Sequence, residues 1–161
     1  MCSNSQKYKV LFLDIDGVLN DEEMYELDPS QYNPAYPIDR RKPHLINYIV
    51  NQTGCKIVIT SSWRTDGKDK LNEEFAPYGL PEIFDTTPYL WGKEPDEHLS
   101  RGEEIQMWLD NHKEEVLNYA ILDDESDFLE TQLKHHVQTD TYTGLTSEDS
   151  DRIIEILNEI Q

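Results

Sequence analysis

The sequence predicts an α/β protein, a Rossmann-like three-layer sandwich around a central parallel sheet. Short apolar runs at residues 10–13, 57–59 and 119–122 have the length and composition of buried strands. Each run ends in polar residues, and segments with helical periodicity separate the runs, as in βαβ units. The chain of 161 residues is 37% hydrophobic, enough for one domain with a real core. We therefore expect a single domain over residues 1–161, with the first strand at the centre of its sheet.

The first predicted strand runs directly into Asp14, Asp16 and Gly17. Two carboxylates at the C-terminal end of a strand lie in the crevice where open α/β sheets bind ligands. They repel each other unless a cation or a shared proton relieves them. The alternative is an acidic turn without function, since Asp and Gly are common turn residues.

The segment from about residue 21 to residue 43 is rich in acidic residues, tyrosine and proline. Its prolines argue against a long regular element and predict an irregular flap beside the first strand. The tyrosines either stack on a substrate or cover the edge of the core. A helical pattern over residues 44–52 follows, and Gly54 ends it. The interval is too short for a large additional domain, so we expect only this short flap over the site.

The second and third predicted strands also end in chemically useful side chains. Hydroxyl groups follow the second strand, at Thr60, Ser61 and Ser62. Carboxylates follow the third strand, at Asp123, Asp124 and Asp127. The elements between and beyond these strands are predicted as helices over 68–78, 128–133 and 148–160, and weak strands over 83–86 and 136–139. Ser100 and Glu103 form a capping-box pattern that opens one more helix.

The net charge of −19 disfavours broad, non-specific binding to nucleic acid, because it repels polyanions. No apolar run is long enough to cross a bilayer, so no membrane association is expected. The two cysteines, Cys2 and Cys55, make a structural disulfide unexpected and favour a reducing cytoplasm.

Carboxylates converging from two strand ends suit Mg²⁺, which prefers oxygen ligands. A lysine or arginine and hydroxyl groups beside such a metal suit a phosphoryl group. Lys93 and Arg101 precede the third strand and are the candidate cations. The sequence contains no Gly-rich phosphate loop, no zinc-ligand spacing and no nucleophile elbow.

Four stretches share a further pattern: Leu13-Asp14-Ile15-Asp16-Gly17-Val18-Leu19-Asn20, Thr60-Ser61-Ser62-Trp63-Arg64, Arg101-Gly102-Glu103-Glu104-Ile105 with Trp108-Leu109, and Ile121-Leu122-Asp123-Asp124. In these stretches the sequence resembles the haloacid dehalogenase (HAD) superfamily, and more closely the small HAD domains of Swiss Army Knife RNA repair proteins. The resemblance implies a Mg²⁺-dependent phosphatase that forms an aspartyl-phosphate.

The resemblance also implies roles for single residues. Asp14 is the nucleophile, and Asp16 is the general acid and base whose backbone carbonyl also ligates Mg²⁺. Ser61, or else Thr60, binds the transferred phosphoryl group. Arg101, or else Lys93, stabilises the intermediate.

An acidic pair or quartet completes the metal site in this family, and Asp123 is the first candidate. Asp127 has the four-residue spacing from it and Asp124 the adjacent-pair form. Ser62 is a further candidate for substrate binding. Arg64 either binds a distal phosphate or forms a surface ion pair.

A phosphorylated RNA or DNA end is the first substrate hypothesis, because HAD proteins without a large cap often act on large substrates. The alternatives are a phosphatase for nucleotides or other small phosphate esters, a phosphoryl transferase, and a binding module that keeps the site without turnover.

Overall fold

Five short runs form the strands of one parallel sheet in the computed structural model, which describes residues 6–27, 33–89 and 98–159. The strands are β1 (Tyr8–Leu13), β2 (Lys56–Ile59), β3 (Ile83–Thr86), β4 (Val116–Asp123) and β5 (His136–Gln138). Their order across the sheet is β3-β2-β1-β4-β5, and all neighbours pair in parallel. The predicted parallel sheet with the first strand at its centre is confirmed.

The register of β1 aligns the ends of the three central strands. Leu13 lies opposite Ile59 of β2 on one side and Leu122 of β4 on the other. The residue after Leu13 is Asp14, and the residues after its two partners are Thr60 and Asp123. The side chains that follow these strands therefore emerge next to one another at the C-terminal edge of the sheet.

Helices pack on both faces of the sheet. They are α1 (Glu22–Leu27), α2 (Pro43–Thr53), α3 (Lys68–Phe75), α4 (Arg101–Asn111) and α5 (Ser147–Asn158). One core cluster joins α2, α3 and α5 to the sheet, through residues such as Ile46, Leu71 and Leu157. The other joins α4 to the opposite face, where the Trp108 ring meets the Phe12 ring edge-on at 5.4 Å. Two buried faces covered by helices form the predicted three-layer sandwich.

The α4 helix begins where the sequence predicts. The Ser100 hydroxyl accepts the backbone N–H of Glu103, and the Glu103 carboxylate accepts the backbone N–H of Ser100. This reciprocal capping satisfies two donors that a helix start otherwise leaves without a partner. Arg101 is thereby placed on the first turn of the helix.

Two predicted helices are shorter or tighter than expected. The helix predicted over 68–78 ends at Phe75 and continues as a 3-10 turn over Ala76–Tyr78, where Pro77 lacks the N–H that an α-helix needs. The segment predicted as a helix over 128–133 is a 3-10 helix over Glu130–His135.

No large cap covers the sheet edge in the described parts of the chain. Within the predicted flap, residues 22–27 form the short helix α1, and residues 33–42 have no regular structure. Tyr32 of this flap lies outside the described residues. Among the helices that are described, none is both long and apolar enough to span a bilayer.

Candidate active site

Three carboxylates meet at the C-terminal edge of the sheet. Asp14 follows β1, Asp123 ends β4, and Asp124 comes next in the chain. Each offers an oxygen, and these oxygens lie within 4.8 Å of one another. Asp14 and Asp123 are buried, whereas Asp124 is half-buried. Such a cluster needs positive charge, because like charges at this separation repel strongly out of water.

Arg101 provides part of that charge. Its Nη1 lies 3.1 Å from Oδ1 of Asp14 and 2.7 Å from Oδ2 of Asp123. One guanidinium on the first turn of α4 thus bridges the acids at the ends of two strands. Burial alone lowers the Arg101 pKa, but the carboxylates of Asp123 and Asp14 outweigh it and raise that pKa. The side chain is therefore a permanent cation in the site.

The two buried acids hold their protons more tightly than free carboxyl groups do. Burial raises the pKa of Asp14 to about 8, with a further contribution from the negative charge of Asp123, although Arg101 lowers it. Burial also raises the pKa of Asp123, against the opposing effect of Arg101. In the metal-free protein, the pair therefore favours a state in which one carboxyl group keeps its proton over a state with two full charges.

The Asp124 carboxylate occupies space that is open only because residue 17 is a glycine and has no Cβ. A Cβ at Gly17 would lie 2.1 Å from Oδ2 of Asp124, and Gly17 has a positive φ of 78°. The Thr141 hydroxyl donates to the same Asp124 oxygen at 3.1 Å. The Thr139 hydroxyl donates to the Gly17 carbonyl at 2.7 Å. Residues after β5 therefore position both the glycine turn and the third carboxylate.

Asp16 lies on the solvent side of the turn. Its side chain is exposed, and its Oδ1 accepts a hydrogen bond from Nδ2 of Asn20 at 2.9 Å. Asn20 also accepts the Gly17 N–H at 3.2 Å and donates to the Pro37 carbonyl at 3.1 Å. Asn20 thus orients Asp16 and joins the turn to the flap. Asp16 is therefore accessible to solvent, two positions after the buried Asp14.

The three hydroxyl side chains after β2 have different surroundings. Thr60 is fully buried, and its hydroxyl has no hydrogen-bond partner in the described residues. Ser61 is also buried, and its oxygen accepts the Trp63 N–H at 3.3 Å at the start of the 3-10 helix Ser62–Asp66. Among the described residues, the Ser61 hydroxyl acts only as an acceptor, which leaves its proton for donation to another group. Ser62 is exposed.

Comparison with protein-family models matches residues 10–150 to the HAD domain in Swiss Army Knife RNA repair proteins. The chain belongs to this family. The match includes all three strand ends and α4, so it spans every element of the site described above. A search of curated proteins and a search of solved structures found no significant match. Membership supports a hydrolase of the HAD type.

Arg64 of this HAD domain is turned inward. Its Nη2 donates a hydrogen bond to Oε2 of Glu104 at 2.6 Å, and its Nη1 donates to the Thr60 carbonyl. The Arg64 side chain is 3% exposed and the Glu104 side chain 8% exposed. The predicted alternatives were a distal phosphate ligand and a surface ion pair. The observed contact is a buried ion pair between the end of β2 and α4.

Two further predicted residues lie apart from the carboxylate cluster or outside the described chain. Asp127 is exposed, and its Oδ2 accepts the backbone N–H of Arg101 at 3.1 Å, so it contacts the start of α4. Lys93, the alternative to Arg101, lies outside the described residues. Within those residues, Arg101 is the cation that contacts both Asp14 and Asp123.

A cavity of about 260 Å³ opens beside Arg101 in the HAD domain. Its lining combines the two arginines with two acids, two aromatic rings and two further residues: Ser62, Arg64, Tyr89, His98, Leu99, Arg101, Glu104 and Asp127. Among the described residues of this lining, the arginines and the acids are equal in number.

Sequence reasoning assigned no role to Asn20, Thr139, Thr141 or Glu104. Asn20 could have been singled out from the sequence, because it is the polar residue that follows two apolar ones in the turn after Asp16. Glu104 lies three positions after Arg101, hence on the same face of α4. The two threonines have no comparable signal, because their contacts depend on how the chain returns after β5.

Proposed function

We propose that this HAD domain is a Mg²⁺-dependent phosphomonoester hydrolase that acts through an aspartyl-phosphate on Asp14. The observation that carries the proposal is the bridged carboxylate cluster, in which Arg101 contacts both Asp14 and Asp123 at the sheet edge. Family membership supports the hydrolase class independently of this geometry.

The carboxylates fit Mg²⁺ in their chemistry. Asp14, Asp123 and Asp124 offer three oxygens that come within 4.8 Å of one another, and oxygen is the ligand that Mg²⁺ prefers. Burial raises the pKa of both Asp14 and Asp123, and Arg101 offsets this effect only in part. A bound Mg²⁺ would supply the missing positive charge and polarise the phosphoryl oxygens.

Different side chains of the site carry out different steps of hydrolysis. The Asp14 carboxylate attacks phosphorus and displaces the alcohol, and Asp16 gives that alcohol a proton. Asp16 then takes a proton from water, which cleaves the aspartyl-phosphate to release inorganic phosphate. Arg101 and the Ser61 hydroxyl bind the phosphoryl oxygens, where negative charge is largest. The proposal places these events in a reducing compartment such as the cytoplasm, consistent with the buried free thiol of Cys55.

A phosphorylated RNA or DNA end is the first proposed substrate. The name of the matching family, which refers to RNA repair, supports it, and so does a sheet edge without a large cap. Nucleotides or other small phosphate esters are the second candidate. The cavity beside Arg101 supports them, because its volume of about 260 Å³ is close to the range of about 300–1,000 Å³ typical of small-molecule sites.

Hydrolysis of p-nitrophenyl phosphate tests the proposal directly. We expect turnover that requires Mg²⁺ and is abolished by Asp14→Asn, since the amide cannot act as the nucleophile. Asp151→Asn, a matched change at an exposed position on α5, should leave turnover unchanged. A wild-type protein that binds phosphate but gives no turnover with Mg²⁺ would favour the binding module instead.

A substrate panel then separates the remaining candidates. It contains a 3′-phosphorylated oligonucleotide, mononucleotides, sugar phosphates and a phosphopeptide, compared by kcat/KM. A preference for mononucleotides would exclude the nucleic-acid-end hypothesis. Addition of an alcohol distinguishes a transferase, because the alcohol rather than water would then receive the phosphate.

A further inference from the structure

The buried pair of Arg64 and Glu104 stands directly beside the catalytic cation. Arg64 Nη2 lies 2.6 Å from Glu104 Oε2, and both side chains are buried. Glu104 follows Arg101 by three positions, which places both on one face of α4. The three side chains line the same cavity. The guanidinium groups of Arg64 and Arg101 therefore both lie near the Glu104 carboxylate.

Two guanidinium groups lie near Glu104, and among the described residues its carboxylate forms an ion pair with that of Arg64. Arg101 instead points to Asp14, at 3.1 Å, and to Asp123, at 2.7 Å. The positive charge of Arg101 acts on both members of the pair: it favours ionised Glu104 and disfavours protonated Arg64. Glu104 is thus close enough to interact electrostatically with Arg101 while its carboxylate is occupied by Arg64.

We propose that Arg64 is a positioning residue: by pairing with Glu104, it keeps that carboxylate from drawing Arg101 away from Asp14 and Asp123. This role rests on the proposed phosphatase activity for its kinetic consequence, though not for its geometry. Without Arg64, the cation among the described residues that still acts on Glu104 is Arg101. A buried carboxylate without a partner is strongly unfavourable, so Arg101 turns toward it.

The ion pair also fixes the end of β2. Arg64 Nη1 donates to the Thr60 carbonyl, so one side chain holds the strand end and occupies the carboxylate on α4. The start of α4 is anchored separately on its other side. There a Cβ at Gly102 would lie 2.8 Å from the Leu129 backbone nitrogen, and Gln132 donates to the Gly102 carbonyl at 2.9 Å. These contacts hold the helix itself in place, so loss of Arg64 should affect the direction of the Arg101 side chain more than the position of α4.

Second-site rescue tests this role. Arg64→Met removes the charge and keeps an unbranched side chain, and we expect kcat for p-nitrophenyl phosphate to fall about 10- to 100-fold, as for a misplaced catalytic group. Arg64→Met with Glu104→Gln removes the competing charge as well, and kcat should return to within about threefold of wild type, because Arg101 is again drawn only to Asp14 and Asp123. The control is Leu157→Ala, which creates a cavity in the core under α5 and lowers the melting temperature without a change in kcat.

Crystal structures provide a readout that does not depend on activity. In Arg64→Met we expect Arg101 to contact Glu104 and its distance to Asp14 Oδ1 to exceed 4 Å, from 3.1 Å in the wild type. In the double variant the Arg101–Asp14 contact should return. Wild-type kcat in Arg64→Met, or a double variant as impaired as the single one, would overturn the role. Absence of turnover in the wild type would count against the proposed function alone, because the Arg101 contacts still test the pairing.

Discussion

In its proposed role as nucleophile, Asp14 is subject to two opposing requirements. A nucleophilic carboxylate must be ionised, yet burial and the neighbouring Asp123 raise the pKa of Asp14 to about 8 in the metal-free protein. The buried location excludes water from the reacting atoms, and the cost is a preference for the protonated acid. Positive charge from a bound cation resolves the conflict, because it favours the carboxylate without exposing it.

This conflict predicts how the metal-free protein responds to pH. The folded-state pKa of Asp14 lies above its unfolded value, so the folded protein holds this proton more tightly. Between about pH 4 and 8 the unfolded chain loses the Asp14 proton while the folded protein keeps it, so stability falls as pH rises. Below about pH 4 both states are protonated and the effect disappears. Asp14→Asn cannot ionise, so we expect it to be more stable than wild type by roughly 1–3 kcal/mol at pH 7 and equally stable near pH 3.5.

Thermal unfolding in EDTA across this pH range measures the difference. Asp151→Asn, which changes an exposed acid on α5, corrects for the general effect of removing one negative charge. Equal stability of Asp14→Asn and wild type at pH 7 would contradict a raised pKa for Asp14.

Gly17 allows a second prediction, with a closely matched control in Gly79. Both glycines have φ of 78°, but a Cβ at Gly17 meets the Asp124 carboxylate whereas one at Gly79 meets nothing within 4 Å. Gly79→Ala should cost only backbone strain, about 1–2 kcal/mol. Gly17→Ala adds a clash that displaces Asp124 from Asp14 and Asp123.

Activity separates the two glycine variants more sharply than stability does. We expect Gly17→Ala to require at least about tenfold more Mg²⁺ for half-maximal turnover, in line with losses caused by disturbed metal ligands. Gly79→Ala should keep the wild-type requirement. If the two variants respond alike to Mg²⁺, Asp124 has no part in the metal site.

At the scale of single elements, two hydroxyl groups follow β2, those of Thr60 and Ser61, and either could bind the phosphoryl group. Ser61 retains a donor proton while its oxygen accepts the Trp63 N–H, so we predict that Ser61 binds the phosphoryl group. Ser61→Ala should lower kcat/KM about 10²-fold, the usual effect of losing one donor to developing charge. It should also destabilise the protein by about 1 kcal/mol through loss of the cap.

Thr60→Val is the companion variant. It replaces a fully buried hydroxyl that has no partner in the described residues, so it should keep most activity and leave stability unchanged or slightly higher. The comparison uses kcat/KM for p-nitrophenyl phosphate at saturating Mg²⁺. The reverse pattern, with Thr60→Val inactive and Ser61→Ala active, would assign the donor to Thr60.

The elements that could be read from the sequence are those set by local patterns. Apolar runs define the strands, and a parallel sheet then requires Asp14, Thr60 and Asp123 to emerge together, as the register shows. Local patterns do not decide among residues of one loop. Asp124 joins the cluster because Thr141 and the gap at Gly17 hold it there, whereas Asp127 turns to the start of α4.

The directions of long side chains could not be predicted from the sequence either. Arg64 follows β2 closely enough to reach a substrate, and its position in the sequence is compatible with a surface location. Its direction depends on Glu104, 40 residues later, and on the Thr60 carbonyl. Contacts of this kind follow from packing between elements, which no pattern within one element encodes.

At the scale of the whole molecule, the net charge of −19 affects how readily a nucleic-acid end approaches the site. An oligonucleotide approaches against long-range repulsion, whereas a small phosphate ester carries little charge to be repelled. In the described lining of the cavity, both arginines form ion pairs with carboxylates, so that surface offers no row of free cations to offset the repulsion.

Ionic strength therefore distinguishes the proposed substrates. Salt screens repulsion between exposed charges, with a Debye length that falls from about 30 Å at 0.01 M to about 8 Å at 0.15 M. We expect kcat/KM for a 3′-phosphorylated oligonucleotide to rise several-fold over this range at constant free Mg²⁺, while kcat/KM for p-nitrophenyl phosphate changes little. A fall in the oligonucleotide value with added salt would contradict the prediction, because it is the signature of counterion release from a basic binding surface. A partner protein that carries such a surface should reverse the sign of the salt effect when it is added, since the attraction to the partner then outweighs the repulsion from this domain.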